Sequence, residues 1–180
     1  MRKMIIGLSL LILTFVGSQA QQQQSQQVHQ QYLVPNRRID YSGFLTNAVQ
    51  VGKLRQERRV SEQDFIEMGK EVDTIVFDAR SDSKYQMLHI KGAKHLSLPD
   101  ITEAELAKVI PTKTTRVLIY CNNNFENEPA AFPSKAVRAS LNLYTFNTLY
   151  SYGYTNVYEL GPLIDITKSK LEFEGTKLAH

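Results

Sequence analysis

The sequence predicts an α/β domain in which a mostly parallel sheet is buried between helices on both faces. Short apolar runs alternate along the chain with segments of helical pattern, an order typical of βαβ units. Hydrophobic residues make up 42% of the chain, which is enough to build a core. The runs are continuously apolar and do not alternate with polar residues, as expected for strands covered on both faces. The predicted strands are residues 74–77, 95–98, 116–120 and 156–160.

Capping residues mark several of the helices predicted around this sheet. Ser61 can cap a helix whose first turn carries Glu62 and Asp64, because acidic side chains suit the positive end of a helix. Thr102 and Glu105 have the spacing of a capping box. The last helix has apolar residues on more than one face, so we expect it to be largely buried. The predicted helices are residues 41–59, 61–70, 83–89, 102–109 and 134–152.

The N-terminal residues 1–20 have the pattern of a targeting segment. A basic start precedes an apolar run over residues 5–16, and the small residues Ser18 and Ala20 follow. This pattern predicts a signal peptide that is cleaved after Ala20. The run is shorter than the roughly 20 apolar residues that span a bilayer, which disfavours an uncleaved anchor. We therefore expect an exported protein, periplasmic or secreted, that has no membrane partner after cleavage.

Composition divides the rest of the chain into a linker, a helical extension, a domain and a tail. Residues 21–31 are mostly glutamine and cannot bury apolar surface, so we expect them to be flexible. The predicted boundaries are residues 21–40 for the Gln-rich linker, 41–60 for the N-terminal helical extension, 61–165 for the domain and 166–180 for the tail.

Charge and motif content narrow the range of partners and cofactors. Removing Arg2 and Lys3 from the 21 basic and 18 acidic residues leaves a net charge of +1, a balance that does not favour nucleic acid. His89 and His95 lack a third ligand at a useful spacing, so no metal is expected. The sequence has no phosphate-binding loop and no Gly-x-Ser-x-Gly turn, and we expect no cofactor.

Cys121 is the only cysteine, and it directly follows the predicted strand 116–120. A single cysteine in an exported chain is buried and inert, paired with another chain, or reactive. Asp78 also lies at the carboxyl end of a predicted strand. Because ligands bind outside the carboxyl ends of parallel strands, we expect Asp78 and Cys121 to face one crevice. From the residues alone, the inert and reactive interpretations of Cys121 stay equally open.

The order of four short motifs resembles the rhodanese-like domain family. They are Asp78-Ala79-Arg80, then His89-Ile90-Lys91-Gly92-Ala93, then the apolar strand into Cys121, then Gly153-Tyr154-Thr155-Asn156-Val157-Tyr158 with Leu160-Gly161. The resemblance extends over residues 61–163. It implies a five-stranded sheet and a sulfurtransferase in which Cys121 is the nucleophile. Such a cysteine takes sulfur from a sulfane donor such as thiosulfate, holds it as a persulfide and passes it to a thiol or cyanide.

The segment after Cys121 departs from the family pattern. Family members that act on thiosulfate have a six-residue loop with glycine and arginine, whereas residues 121–133 form a longer loop that has neither. Glu126 and Glu128 add negative charge, which disfavours a thiolate and an anionic donor. The first arginine after the cysteine is Arg138, inside the predicted helix, which disfavours the related cysteine phosphatases.

Several residues near Cys121 are candidates for binding a substrate. The amides of Asn122, Asn123 and Asn124 could form an anion-binding nest, or they could serve only as turn residues. The predicted substrate-binding residues are Asn122, Asn123, Asn124, Phe125 and Arg80, and Asp78 and His89 are predicted structural residues near the site. Pairing with Asp78 is the structural alternative for Arg80.

Three functional hypotheses follow. The first is an exported sulfurtransferase whose partners are a small sulfane-sulfur donor and a thiol acceptor. The second is a non-catalytic binding module, in which the long loop after Cys121 contacts a protein partner. The third is a redox sensor that pairs with another chain through Cys121.

Overall fold

The strand before Cys121, in which four of the five residues are buried, occupies the centre of the sheet. The structure is a computed structural model and describes residues 36–178. The sheet strands are β1 (Arg59–Val60), β2 (Thr74–Asp78), β4 (Lys94–His95), β5 (Arg116–Tyr120) and β7 (Val157–Leu160). They pair in the order β1-β7-β5-β2-β4, and every neighbouring pair is parallel. The predicted α/β fold with a five-stranded, mostly parallel sheet is therefore confirmed.

Part of the predicted organisation lies outside the described residues. This holds for the signal peptide, its cleavage site, residues 21–35 of the predicted linker and residues 179–180 of the tail. Residues 36–40 contain a turn in which the N–H of Ile39 donates to the carbonyl of Asn36 at 3.0 Å. Within residues 36–178, no helix has the length and apolar character needed to cross a membrane.

A helix overlaps each of the five predicted helical segments. They are α1 (Tyr41–Arg58), α2 (Glu62–Gly69), α3 (Asp82–Met87), α4 (Glu103–Val109) and α5 (Leu141–Ser151). Ser61 Oγ accepts a hydrogen bond from the Asp64 N–H at 3.1 Å and caps α2. Thr102 Oγ1 accepts from the Glu105 N–H at 3.2 Å and caps α4. The Glu105 carboxylate lies 2.5 Å from Lys108 Nζ, so the ion pair replaces the reciprocal bond of a capping box.

Alternate residues of β5 divide the core into two clusters, one on each face of the sheet. Val117 and Ile119 pack in a cluster that includes Phe146 of α5. Leu118 and Tyr120 pack in a second cluster on the other face. All of these side chains are almost fully buried, as expected for strands without polar alternation.

The last helix is shorter than predicted, because a side chain bonds the backbone of the segment before it. The helix predicted over residues 134–152 begins only at Leu141. Lys135 donates its N–H to Asn123 Oδ1 and accepts from Asn123 Nδ2 at its carbonyl, both at 2.9 Å. These are the backbone groups that a helix uses for its own bonds. Arg138 therefore lies in a short 3₁₀ turn before α5, and its predicted place inside the helix is wrong.

The C-terminal tail pairs with a short strand whose first residue, His89, was predicted as the end of a helix. The helix predicted over residues 83–89 ends at Met87, since Leu88 adopts an extended conformation. The chain then forms β3 (His89–Ile90), which pairs antiparallel with β9 (Phe173–Glu174) of the tail.

The edge strand beside β2 is also shorter than predicted. The strand predicted over residues 95–98 is limited to β4, and Leu98 begins a 3₁₀ turn. The Leu98 N–H donates to the carbonyl of Ala79 at 3.0 Å. This bond directs the chain across the carboxyl end of β2, where the candidate site lies.

Candidate active site

Cys121 lies at the carboxyl end of the central strand, where the sequence predicted it. The residue follows Tyr120, the last residue of β5, and its backbone remains extended. Its side chain is only 1% exposed. Cys121 Sγ lies 3.5 Å from the hydroxyl of Ser140, the residue that precedes α5. A hydroxyl at this distance can donate a hydrogen bond to a thiolate.

Asp78 and Arg80 form a buried ion pair beside this strand end. Arg80 Nε and Nη2 donate to the two carboxylate oxygens of Asp78 at 2.6–3.0 Å. The guanidinium also donates to the carbonyls of Ala131, at 3.0 Å, and Leu88, at 2.8 Å. Neither side chain is exposed by more than 1%. The charge of Arg80 is thus compensated by Asp78, which matches the structural alternative for this pair.

Tyr120 completes this buried network. Its hydroxyl donates to Asp78 Oδ2 at 2.5 Å and accepts from the Ile90 N–H at 3.2 Å. Burial, together with the charge of Asp78, raises the pKa of Tyr120 well above its ordinary value. Burial opposes the charge of Arg80, but the hydrogen bond and the charge of Asp78 outweigh it and raise the pKa of Arg80. Arg80 therefore stays charged and Tyr120 stays neutral at physiological pH.

Asn124 fixes the first turn of the loop after Cys121. Its Oδ1 accepts from the Cys121 N–H at 2.9 Å and from Asn142 Nδ2 at 3.1 Å. Its Nδ2 donates to the carbonyls of Leu160, at 2.7 Å, and Pro162, at 3.2 Å. One buried amide thus joins the cysteine, the end of β7 and the start of α5.

The three consecutive asparagines have different roles. Residues Asn122–Asn124 form a 3₁₀ turn, and none of them adopts a left-handed backbone conformation. The side-chain amide of Asn123 bonds the backbone N–H and carbonyl of Lys135 and so joins the two ends of the loop. Asn122 is 4% exposed. Of the three side chains, Asn122 is the one whose amide oxygen has no hydrogen-bond partner within residues 36–178.

Phe125 lies in the core beneath the loop. Its ring is 4.6 Å from that of Phe132 and 5.4 Å from that of Phe173, measured between centroids. It belongs to β6 (Phe125–Glu126), which pairs in parallel with β8 (Ile164–Asp165). The loop after Cys121 is therefore packed into the domain and does not extend freely from it.

The two acidic residues of the loop, Glu126 and Glu128, do not line the cleft beside Cys121. Glu128 forms an ion pair with Lys177 of the tail, and Glu126 is exposed. The negative charge that the sequence suggested for the site is thus partly compensated by the tail.

His89 connects the tail to the domain. Its Nδ1 lies 2.7 Å from the carbonyl of Tyr85 and its Nε2 lies 3.2 Å from Glu174. The ring also stacks on Tyr85 with 3.8 Å between centroids. Within residues 36–178, no group of three His, Cys, Asp or Glu side chains could hold a metal ion.

A cleft of about 290 Å³ opens at the carboxyl ends of the strands, next to Cys121. Asn122 lines it, and so do Ala139 and Leu141, the residues on either side of Ser140. Lys84 and Lys135 also line the cleft, and neither has a carboxylate within ion-pair distance among the described residues. Cys121 itself does not line it.

Sequence reasoning missed Ser140, Lys84 and Lys135 as site residues. Ser140 and Lys135 were predicted inside a helix, and Lys84 lies on a different element, α3. A serine directly before an apolar helical pattern is an N-cap signal. That signal at Ser140-Leu141 could have placed the start of the helix correctly.

Comparisons with known proteins agree with the order of motifs. A family model described as the rhodanese-like domain matches residues 61–161. The thiosulfate sulfurtransferase PspE of Escherichia coli strain K12 is 28% identical over 95 residues, which cover 53% of this chain and 76% of PspE.

Solved structures to which the chain is similar come from several bacteria. The BH2092 protein from Bacillus halodurans is 22% identical, with a TM-score of 0.48 over 71% of this chain and 82% of that chain. The rhodanese-like domain of the Alr3790 protein from Anabaena sp. is 18% identical, with a TM-score of 0.48 over 68% and 83%. A rhodanese with anions from E. coli is 21% identical, with a TM-score of 0.39 over 57% and 98%.

The Asp78–Arg80 pair leads to a stability prediction. Asp78→Asn leaves the guanidinium of Arg80 buried without a carboxylate, so we expect the free energy of unfolding to fall by about 3–5 kcal/mol. Urea unfolding followed by circular dichroism measures this change. Asp82→Asn is the control, because the side chain of Asp82 is 74% exposed, and we expect a change of less than about 0.5 kcal/mol. Equal losses in the two variants would contradict the structural role of the pair.

Proposed function

Because the chain belongs to the rhodanese-like domain family, we propose that it is a sulfurtransferase in which Cys121 carries sulfane sulfur as a persulfide. The observation that supports this most directly is the position of Cys121. It is the only cysteine of the chain, it lies within the matched residues 61–161, and it directly follows the central strand. The cleft beside it is lined by Lys84 and Lys135, neither of which has an ion-pair partner within residues 36–178. Relatedness to PspE, a thiosulfate sulfurtransferase, supports the same class of reaction.

The proposed reaction has two steps. The thiolate of Cys121 attacks the outer sulfur of a donor such as thiosulfate, and sulfite leaves with the electron pair of the broken S–S bond. A thiolate acceptor then attacks the outer sulfur of the Cys121 persulfide and leaves with it, which regenerates the Cys121 thiolate. No net oxidation or reduction of the protein occurs over the cycle.

The geometry revises the proposed roles of the neighbouring residues. We assign Arg80, Asn124 and Phe125 to holding the loop, since their polar groups or rings are used within the domain. Lys84, Lys135 and Asn122 line the cleft and are better placed to contact a substrate. Arg80 also lines it, but its guanidinium is bonded to Asp78, Ala131 and Leu88.

The burial of Cys121 favours a second candidate, a binding module without sulfur transfer. A sulfur that is 1% exposed reacts only after a local opening. In this alternative the exposed part of the loop around Val137, itself 81% exposed, makes the contacts.

Sulfur loading distinguishes the two candidates. We expect incubation with thiosulfate, or with a polysulfide as a second donor, to add one sulfur atom to Cys121. Intact-mass spectrometry detects the added mass, and cyanide should remove it. Cys121→Ser is the matched variant that cannot be loaded. If no donor adds sulfur to the folded protein, the sulfurtransferase proposal is wrong and the binding module remains.

Ser140 is proposed as a positioning residue for Cys121. Its hydroxyl lies 3.5 Å from Sγ, and it precedes the N-terminus of α5, an 11-residue helix. A donated hydrogen bond and the positive end of a helix both stabilise a thiolate relative to a thiol. The hydroxyl therefore favours the reactive form of Cys121.

Ser140→Ala tests this contact. Hydrogen bonds to charged groups contribute about 1.5–3 kcal/mol, so we expect the pH profile of Cys121 alkylation to move upward by about one to two pH units. The rate of reaction with iodoacetamide between pH 5 and 10 gives the profile, and Ser140→Thr should restore it. Ser134→Ala is the control, since Ser134 is exposed in the same loop. An unmoved profile in Ser140→Ala would exclude the role, even if the absolute rate changed.

Export is also part of the proposal, on the pattern of residues 1–20. We expect expression of the full chain in a bacterial host to yield a mature protein that begins at Gln21 and lies outside the cytoplasm. Intact mass after cell fractionation measures both. Ala20→Arg should block cleavage, whereas Gln23→Arg should not. A cytoplasmic protein of full length would show that the segment is not a signal peptide.

A further inference from the structure

A groove of about 260 Å³ lies between α1 and α5, and much of its wall is apolar. Phe44 and Ala48 of α1 line it, and so do Leu143 and Tyr144 of α5. The side chains of Phe44 and Tyr144 are each 43% exposed. The apolar surface extends beyond the groove, since the ring of Tyr41 lies 6.3 Å from that of Phe44 and Tyr41 is 70% exposed. A contiguous exposed apolar surface is typical of a site that binds another molecule.

Gly52 of α1 keeps this groove open. Glycine within a helix destabilises the helix relative to alanine, so a packing or conformational reason for it is expected. Neither is present, because Gly52 has no positive φ and a Cβ there would meet no atom of another segment within 4 Å. Since Gly52 lines the groove, a side chain at this position would instead reduce the space available to a ligand.

Asn147 of α5 lines the same groove and carries an unused acceptor. The residue is 6% exposed, and its Oδ1 has no hydrogen-bond partner within residues 36–178. A buried amide oxygen without a partner is costly, and a ligand that donates an N–H in the groove would remove that cost. The unpaired oxygen indicates a ligand independently of Gly52 and of the apolar walls.

The charged side chains that line the groove are both positive. They are Arg55 and Arg138, and no carboxylate is among the lining residues. Arg55 forms an ion pair with Glu159 at 2.6 Å. Arg138 is exposed and has no carboxylate within ion-pair distance among the described residues. Arg138 would therefore attract an acidic group of a ligand.

We propose that this groove is a docking site for an acidic segment of a partner protein, which inserts one apolar side chain between Phe44 and Tyr144. The groove is slightly smaller than the roughly 300–1,000 Å³ of sites that enclose a whole organic ligand, and the apolar surface continues along α1 beyond it. Both properties favour an anchoring side chain of a longer chain. The anchor fills the space left by Gly52, a backbone N–H of the partner donates to Asn147 Oδ1, and an Asp or Glu pairs with Arg138. The inference goes beyond the proposed sulfur transfer and does not depend on it.

A side chain added at Gly52 tests whether the groove is the docking site. Random peptides displayed on phage are selected on the immobilised protein, and we expect the enriched peptides to share an apolar residue next to Asp or Glu. Gly52→Leu should weaken their binding, measured by fluorescence anisotropy, by at least about tenfold, because it fills the space for the apolar anchor. The open space around Gly52 allows this variant to fold, which thermal unfolding followed by circular dichroism checks. Gln50→Leu is the matched control that should bind normally, because Gln50 is an exposed residue of α1 outside the groove.

A charge variant tests the recognition of the acidic residue. Arg138→Ala should weaken the enriched peptides by about two- to fivefold. It should leave unchanged the binding of the same peptides in which Asp or Glu is replaced by Asn or Gln. Lys94→Ala is the control, because Lys94 is exposed on β4 and does not line the groove. Added salt should weaken the acidic peptides more than their amide versions.

Several outcomes would overturn the proposal. If only basic peptides are enriched, or if no enriched peptide loses affinity in Gly52→Leu, an acidic segment does not occupy the groove. Equal losses in Gly52→Leu and Gln50→Leu would show that the groove is not the contact. Sedimentation velocity tests a second copy of this chain as the occupant. A dimer that forms in the native chain and is lost in Gly52→Leu would assign the groove to self-association and exclude the partner protein.

Discussion

The buried ion pair of Asp78 and Arg80 is the interaction on which the site depends. It lies where β2 ends, and it holds three other parts of the chain through the hydroxyl of Tyr120 and the carbonyls of Leu88 and Ala131. Burying two charges is costly unless both are fully hydrogen-bonded, and each partner found here removes part of that cost. The pair thereby sets the positions of the central strand, the end of α3 and the long loop relative to one another.

The long loop is held by side chains that form hydrogen bonds with backbone groups. Asn124 and Asn123 bond backbone groups on β7 and within the loop itself, and Phe125 and Phe132 place two rings in the core. A loop of this length without such contacts would lose much conformational entropy on ordering. Asparagine is suited to the role, because its side chain offers the same donor and acceptor as a peptide group.

The sequence predicted the framework of the fold better than the details of the site. Apolar runs predicted β2, β5 and β7, and their carboxyl ends placed Asp78 and Cys121 at one edge of the sheet, because strand burial is a local and continuous signal. The helix before residue 141 was wrong, since the contact between Asn123 and Lys135 is invisible to periodicity.

The roles of the candidate binding residues depend on tertiary contacts in the same way. From the sequence, Arg80 could be interpreted as an anion ligand or as a partner of Asp78. The structure shows that the guanidinium N–H groups not used by Asp78 donate to the carbonyls of Ala131 and Leu88, a contact that the sequence does not reveal. Lys84 and Lys135 lie 51 positions apart on different elements. No spacing rule brings them together, so the cleft could not be predicted.

Two segments cover Cys121, and they differ in the number of buried contacts that are lost when they move. On one side, Asn124 is fixed by buried hydrogen bonds of its amide and Phe125 by its packed ring. On the other, the stretch before α5 is exposed and contains a 3₁₀ turn in which the Ala139 N–H donates to the carbonyl of Ala136. Local opening occurs where few buried contacts are lost. Movement of this exposed stretch is therefore the less costly way to reach the sulfur.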